Sequence, residues 1–325
     1  MAPATSQGDA TIADPDGPAD WSRAIDALRR RSLRMRLLIA LFEWLAAARP
    51  VTRLRVGAVL GALAPWLVRR RIPVVRRNLA LCFPELSAEA RERLLKDHFR
   101  ALAQSVVDRS VFWCGSAGQI RDMVHVHGHE QVAGLVERHG SVLLLAPHFI
   151  GLDAAATRLS IEGPAGAAMY SPQNSPGLDQ LVRLGRSRFN AVHLVSRRGG
   201  VRALIRYIEA HFPIYYLPDM DFGRRGAVFV PFFGVPAATQ TSTAQLAARW
   251  GLPVVPIICF WDPATGRYEV QVRAPLTDFP GDHSPEAATA ILNRHLEAWV
   301  REAPAQYYWV HRRFKTRPAG EPSLY

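Results

Sequence analysis

From His125 onward, short apolar runs alternate with helix-length amphipathic stretches, and that rhythm admits few folds. Strand 142–146 precedes helix 151–161, strand 167–170 precedes helix 176–189, strand 192–195 precedes helix 201–210, and strand 214–217 follows. A strand, a covering helix and another strand make the βαβ unit, which builds a parallel sheet with helices on its faces. Helix 241–250, strands 254–260 and 268–272 and helix 285–302 complete the set. The turn at 261–267, carrying Asp262-Pro263 and Thr265-Gly266, gives one antiparallel return. The expected class is α/β, with a mostly parallel central sheet flanked by helices.

The chain ahead of this region divides by composition. Residues 1–20 are rich in Ala, Pro, Gly and Asp, lack the basic start and apolar core of a secretory signal, and read as a flexible tail. Residues 21–75 hold two apolar runs, 37–48 and 56–68, separated by Arg49, Pro50, Arg53 and Arg55. Neither run reaches the roughly 18 to 20 apolar residues of a spanning helix. Arg29, Arg30, Arg31, Arg34 and Arg36 precede them, and Arg69, Arg70, Arg71, Arg76 and Arg77 follow. Apolar helices bracketed by arginine suit a segment lying in the headgroup region of an anionic leaflet. The alternative is a helical hairpin buried in the core with its arginines solvated. Residues 76–325 then form the α/β domain, entered through an amphipathic helix over 87–110.

Lys and Arg outnumber Asp and Glu by 40 to 28, a net charge of +12, which favours anionic partners: nucleic acid, anionic lipid or an acidic carrier protein. Cys82, Cys114 and Cys259 form no C-x-x-C pair, so neither a disulfide framework nor a zinc knuckle is indicated. No P-loop, dinucleotide fingerprint or G-x-S-x-G elbow is present, which leaves nucleotide binding and serine hydrolysis unsupported.

The apolar run Val142 to Ala146 ends on Pro147-His148, with Asp153 five positions beyond the histidine. An imidazole takes and returns a proton near neutrality, and a carboxylate on its other nitrogen fixes the tautomer. Positions five apart on a helix point about 140° away from each other. His148 is therefore expected in the loop ahead of the helix, which Pro147 favours, with Asp153 in the first turns as its orienting acid. In an open α/β sheet the carboxyl ends of the strands share one crevice. Tyr170 and Asn174, Arg197 and Arg198, and Asp219 and Asp221 follow successive strands to that edge. A base, an acid and arginines suit activation of a hydroxyl on a phosphorylated molecule. Asp219 and Asp221 are expected to orient substrate or cap a turn rather than hold a metal. His125, His127 and His129 alternate, but Gly128 interrupts the strand, so no metal is expected there. The aromatic and basic tail 306–318 suits stacking on RNA or an interface with lipid headgroups.

Taken together, these strings resemble the late acyltransferases of lipid A biosynthesis, the lauroyl and myristoyl transferase group of the lysophospholipid acyltransferase superfamily. The resemblance runs from RRNLALCFPEL at Arg76 through the H-x4-D box at His148, MYSPQNSPGLD, the Arg197 block, YYLPDMDFG and VFVPFFGVPAAT to QYYWVHRRFKTRP. It implies transfer of a fatty acyl group from acyl carrier protein to the hydroxyl of a 3-hydroxyacyl chain on an anionic lipid A precursor. His148 becomes the general base, Asp153 its partner, Arg197 a phosphate or thioester-side contact, and Asp219 and Asp221 part of the acceptor site. No cofactor or metal is implied, and the partners are the carrier protein, the lipid acceptor and inner-membrane lipids rather than nucleic acid. The implied location is the cytoplasmic face of the inner membrane. Attachment is expected to be peripheral or monotopic, because the usual anchor helix is replaced by short, arginine-broken segments. A second departure is Ser171, between Tyr170 and Pro172, where the family usually has arginine. Transfer to another glycolipid or a lysophospholipid, or membrane binding without catalysis, remain the alternatives.

Overall fold

The computed structural model describes residues 21–190 and 192–325, so the tail expected over 1–20 lies outside the described residues. Six helices lead: α1 (Trp21–Arg31), α2 (Leu33–Ala47), α3 (Pro50–Leu67), α4 (Ile72–Cys82), α5 (Ala88–Cys114) and α6 (Ala117–Met123). The remainder runs β1 (Val124–His127), α7 (Gln131–His139), β2 (Leu143–Leu145), α8 (Leu152–Glu162), β3 (Gly166–Tyr170), α9 (Pro176–Arg186) and β4 (Val192–Ser196). A short 3-10 turn, Arg197–Gly199, precedes α10 (Arg202–Glu209), β5 (Ile214–Tyr216), β6 (Ala227–Phe232) and β7 (Val235–Gln240). The chain closes with α11 (Ser242–Trp250), β8 (Val254–Trp261), β9 (Tyr268–Val272) and α12 (Pro285–Glu302).

Seven strands form one sheet in the order β1-β9-β8-β2-β5-β3-β4. The neighbouring pairs β8 with β2, β2 with β5, β5 with β3 and β3 with β4 are parallel, and β8 with β9 is antiparallel. The expected mostly parallel sheet is thus present, and the return at 261–267 is the antiparallel one. Strands buried on both faces read as unbroken apolar runs. In β2, Leu143 and Leu145 pack with Ile214 and Phe149 on one face, whereas Leu144 packs with Val255 and Ile257 on the other. The helices cover those two faces.

The N-terminal helices dock on α5. Gly57 and Gly61 of α3 face it so closely that an added Cβ would sit 1.8 Å from Gln104 Oε1 and 2.9 Å from the Arg100 Cα. Beneath α3, the buried Asp108 carboxylate accepts hydrogen bonds from Gln104 Nε2 and the Tyr268 hydroxyl, each at 2.9 Å, with Arg53 Nε 3.9 Å away. Burial pushes the Asp108 carboxyl up to about 7. Among the described residues no single helix is long and apolar enough to cross a membrane; α3 and α4 together pass by composition but are bent by 97°.

Candidate active site

Because β2 and β5 are adjacent and parallel, the loops leaving their carboxyl ends start side by side. One carries His148 and the other Asp219, 71 residues apart in sequence. His148 Nδ1 lies 2.7 Å from Asp219 Oδ1, and the His148 backbone N–H donates to Asp219 Oδ2 at 2.8 Å. The carboxylate thus grips both the ring and the backbone of the histidine. Burial would raise the Asp219 carboxyl, but the His148 charge and hydrogen bonds outweigh it and leave the carboxyl below its usual range. Asp219 is therefore ionised, and in the neutral imidazole Nδ1 carries the hydrogen and Nε2 is the acceptor. His148 sits in the loop ahead of α8, as Pro147 foretold.

Asp153 is not the partner of that imidazole. It lies in the first turn of α8, where one carboxylate oxygen accepts from Arg109 Nε of α5 at 2.7 Å and the other from Arg186 Nε of α9 at 2.8 Å. The physical reason is the geometry that made the spacing awkward: the first helical turn carries Asp153 away from the loop and into the gap between α5 and α9. Burial would raise its carboxyl, yet Arg186 and Arg109 hold it far below the ordinary value.

A cavity of about 670 Å³ adjoins His148. It runs along the sheet between small residues of β3 and α8, among them Gly166, Ala168, Ala156 and Ser160, and apolar side chains including Leu144, Leu159 and Leu194. Tyr170, Arg197 and Arg198 line it, as does Ser171. The Tyr170 hydroxyl is 3.4 Å from Asp179 Oδ2, and the Arg197 guanidinium lies 5.9 Å from the centre of the Phe222 ring. Asn174 is exposed and stands outside the cavity walls.

Asp221, expected at the substrate, is 1% exposed and absent from those walls. Its carboxylate accepts from the backbone of Gly223 and from both the backbone and hydroxyl of Thr316, at 2.8 to 2.9 Å. Its own N–H donates to His311 Nε2 at 3.1 Å. The D-x-D pair is thus split: Asp219 serves the histidine and Asp221 fastens the C-terminal strap 306–317. That strap also donates from the Tyr308 backbone N–H to the His148 carbonyl at 3.0 Å. The strap therefore holds both loops of the pair.

Arg109, Arg186 and the strap's backbone contacts gave no sequence signal, since each acts through neighbours remote in the chain. His125 and His127 share a face of β1 and bracket the Glu269 carboxylate of β9 at 2.9 and 2.8 Å. Among the described residues no group of three His, Cys, Asp or Glu side chains is placed to hold a metal ion.

The sequence that builds this site has relatives among known proteins. A family model described as bacterial lipid A biosynthesis acyltransferase matches residues 26–316. The lipid A biosynthesis lauroyltransferase of Escherichia coli is 34% identical over 284 residues, covering 87% of this chain and 92% of that protein. The lipid A biosynthesis myristoyltransferase of the same organism is 30% identical, covering 83% of this chain and 82% of that protein. A lipid A biosynthesis acyltransferase of Haemophilus influenzae is 32% identical, with 79% and 81% covered.

Proposed function

The chain belongs to the bacterial lipid A biosynthesis acyltransferase family, and we propose that it moves a fatty acyl group from acyl carrier protein to the hydroxyl of a 3-hydroxyacyl chain on a lipid A precursor. The observation that carries this reading is an imidazole held by a buried carboxylate in the wall of a largely apolar cavity of about 670 Å³. His148 Nε2 takes the acceptor hydroxyl's proton as that oxygen attacks the thioester carbonyl. Asp219 stabilises the imidazolium that forms. The tetrahedral intermediate collapses, the C–S bond breaks, and the imidazolium returns the proton to the leaving thiolate. An ester and a free thiol result, with no change of oxidation state, so the chemistry needs no redox cofactor. Among the described residues no Ser or Cys side chain is hydrogen-bonded to His148, which favours direct transfer over a covalent enzyme intermediate.

Arg197 and Arg198, exposed at the cavity, suit the anionic acceptor or the acidic carrier. The place of reaction is the cytoplasmic face of the inner membrane, with the protein attached peripherally through α2 and α3. The acceptor is tested by incubating purified protein with acyl carrier protein thioesters of several chain lengths and a lipid A precursor. The expected product is heavier by one acyl chain, and acylation of a lysophospholipid or another glycolipid instead would move the assignment to that substrate. Removing a general base costs about 10² to 10⁴ in rate, so His148→Ala should fall by that range. Asp219→Asn should keep the fold and lose on the order of 10² or more, because the amide no longer stabilises the imidazolium. Near-normal transfer by purified His148→Ala would exclude the mechanism.

A further inference from the structure

Among the described residues Asp153 is the one carboxylate lining the cavity, against four arginines: Arg109, Arg186, Arg197 and Arg198. Arg109 and Arg186 each donate to it through Nε, one per oxygen. All three line the cavity, and the two arginine side chains, 33% and 27% exposed against 6% for Asp153, are the more open members of the cluster. Among the described residues neither fork makes a further hydrogen bond to the chain through its Nη atoms. Two cations share one anion, and one positive charge is left beside apolar walls that screen it poorly.

A fatty acyl chain and a thioester are neutral and do not offset that charge. A phosphate does: its oxygens match planar guanidinium forks, and two forks held at a fixed separation by one carboxylate form a receptor in advance of binding. We propose that Arg109 and Arg186 form a phosphate-binding subsite of the cavity, with Asp153 as the positioning residue that acts through them and not through His148. The name of the phosphate's carrier rests on the reading given under Proposed function. It is either a phosphomonoester on the lipid acceptor or the phosphodiester in the arm that presents the thioester.

The subsite is tested without turnover by calorimetric titration of the full-length protein with dodecyl phosphate below its micelle concentration, with dodecanol as the neutral control. Arg109→Gln and Arg186→Gln should each weaken dodecyl phosphate binding roughly tenfold or more, the scale of one lost charge-assisted hydrogen bond, and leave dodecanol binding unchanged. Arg109→Lys keeps the charge that pairs with Asp153 but not the fork, so it should fold like the parent and still bind the phosphate more weakly. Unchanged dodecyl phosphate affinity in Arg109→Lys and Arg186→Gln, both folded by thermal melting, would overturn the proposal. Kinetics supply the second arm. A rise in KM confined to the lipid acceptor in Arg109→Lys supports the monoester, and one confined to the thioester supports the diester. Asp153→Asn should raise that same KM while the pH profile of kcat stays that of the parent, whereas Asp219→Asn should move the profile. An Asp153→Asn profile displaced like that of Asp219→Asn would return Asp153 to the imidazole and refute the assignment. Phosphate binding that depends on Arg109 and Arg186 in a protein that acylates no lipid A precursor would remove the function and leave the subsite standing.

Discussion

His98 is wholly buried in α5, with Nδ1 2.9 Å from the Ala305 carbonyl oxygen and Nε2 lacking a hydrogen-bond partner. Nδ1–H donates to that carbonyl, and burial pulls the pKa from 6.5 down to about 4, so the ring is neutral near pH 7. Between those values the unfolded chain binds a proton that the folded chain refuses, and stability falls as the pH drops through the window. The full effect is on the order of 3 kcal/mol. Asp108 works in the opposite sense, because its carboxyl is pushed up to about 7 and the folded state takes the proton first; its contribution grows as the pH falls from 7. A comparison between parent and His98→Gln cancels the Asp108 term, since the glutamine amide can still donate to Ala305 and carries no charge. Urea midpoints at pH 7 and pH 4.5 should therefore fall further in the parent than in His98→Gln, and parallel falls would show that His98 is not the titrating group. None of this was legible in the sequence, where His98 is one histidine in an amphipathic helix. The place of His148 at the end of β2 was legible, because Pro147 and the apolar run ahead of it forced that residue into the loop. Its partner was not, because choosing Asp219 over Asp153 requires knowing that β5 lies beside β2.

At the scale of elements, the strap 306–317 ties together the loops that carry His148 and Asp219–Asp221. It is fixed at several points: Asn78 Nδ2 of α4 donates to the carbonyls of Trp309 and His311, Arg313 donates to the Ala238 carbonyl and Thr239 hydroxyl of β7, and Thr316 donates to Asp221. Asp221 accepts three of the hydrogen bonds in this region, whereas the Thr316 hydroxyl supplies one. Asp221→Ala should cost about 3 kcal/mol and Thr316→Val about 1 kcal/mol, at roughly 1 kcal/mol for each bond. Chemical denaturation checks the order, and a larger loss in Thr316→Val would mean that Asp221 does not anchor the strap. Turnover should fall with Asp221→Ala because Asp219 stands two residues away on the loop that is freed. The hairpin β6–β7, to which the strap is tied, was missed from the sequence for a reason visible in its register. Pro231 and Pro236 sit opposite each other, next to the closing pair Phe232 and Val235, at the position where an antiparallel ladder needs no N–H. The two-residue turn is Phe233-Gly234, both with positive φ, and phenylalanine is not a residue from which such a turn is read. Longer elements were legible, because the βαβ rhythm rests on burial of whole faces rather than on single residues.

Over the whole molecule, α3 inverts the usual distribution of side chains, and α2 carries a second apolar side beyond the one it buries. The face of α3 turned to α5 carries Arg53, Gly57, Gly61 and Ala64, while Val51, Val59, Leu63, Trp66 and Leu67 are exposed. On α2 the exposed residues Leu33, Leu37, Leu41 and Trp44 recur at helical spacing along one side. A hairpin buried in the core with only its arginines solvated would cover its apolar side chains all round, whereas α2 buries Met35, Ile39 and Leu45 and both helices leave further large apolar side chains open. An apolar stripe of this kind, edged by the exposed Arg34, Arg36, Arg55, Arg69 and Arg70, has the composition of a surface that enters the headgroup region of an anionic leaflet. Apolar insertion and charge attraction then make separable contributions. Sedimentation with vesicles containing phosphatidylglycerol should exceed that with pure phosphatidylcholine and weaken as salt screens the arginines, with a Debye length of about 10 Å at roughly 0.1 M. Trp66→Glu, at a side chain 81% exposed and free of the core, should reduce binding to both kinds of vesicle without lowering the denaturation midpoint. Because the proposed acceptor is itself a membrane lipid, that variant should lose transfer to acceptor in vesicles and keep transfer to acceptor dispersed in detergent. Equal loss in both assays would mean that Trp66 supports the fold of the site, and undiminished vesicle binding would mean that the stripe is not the surface that meets the lipid.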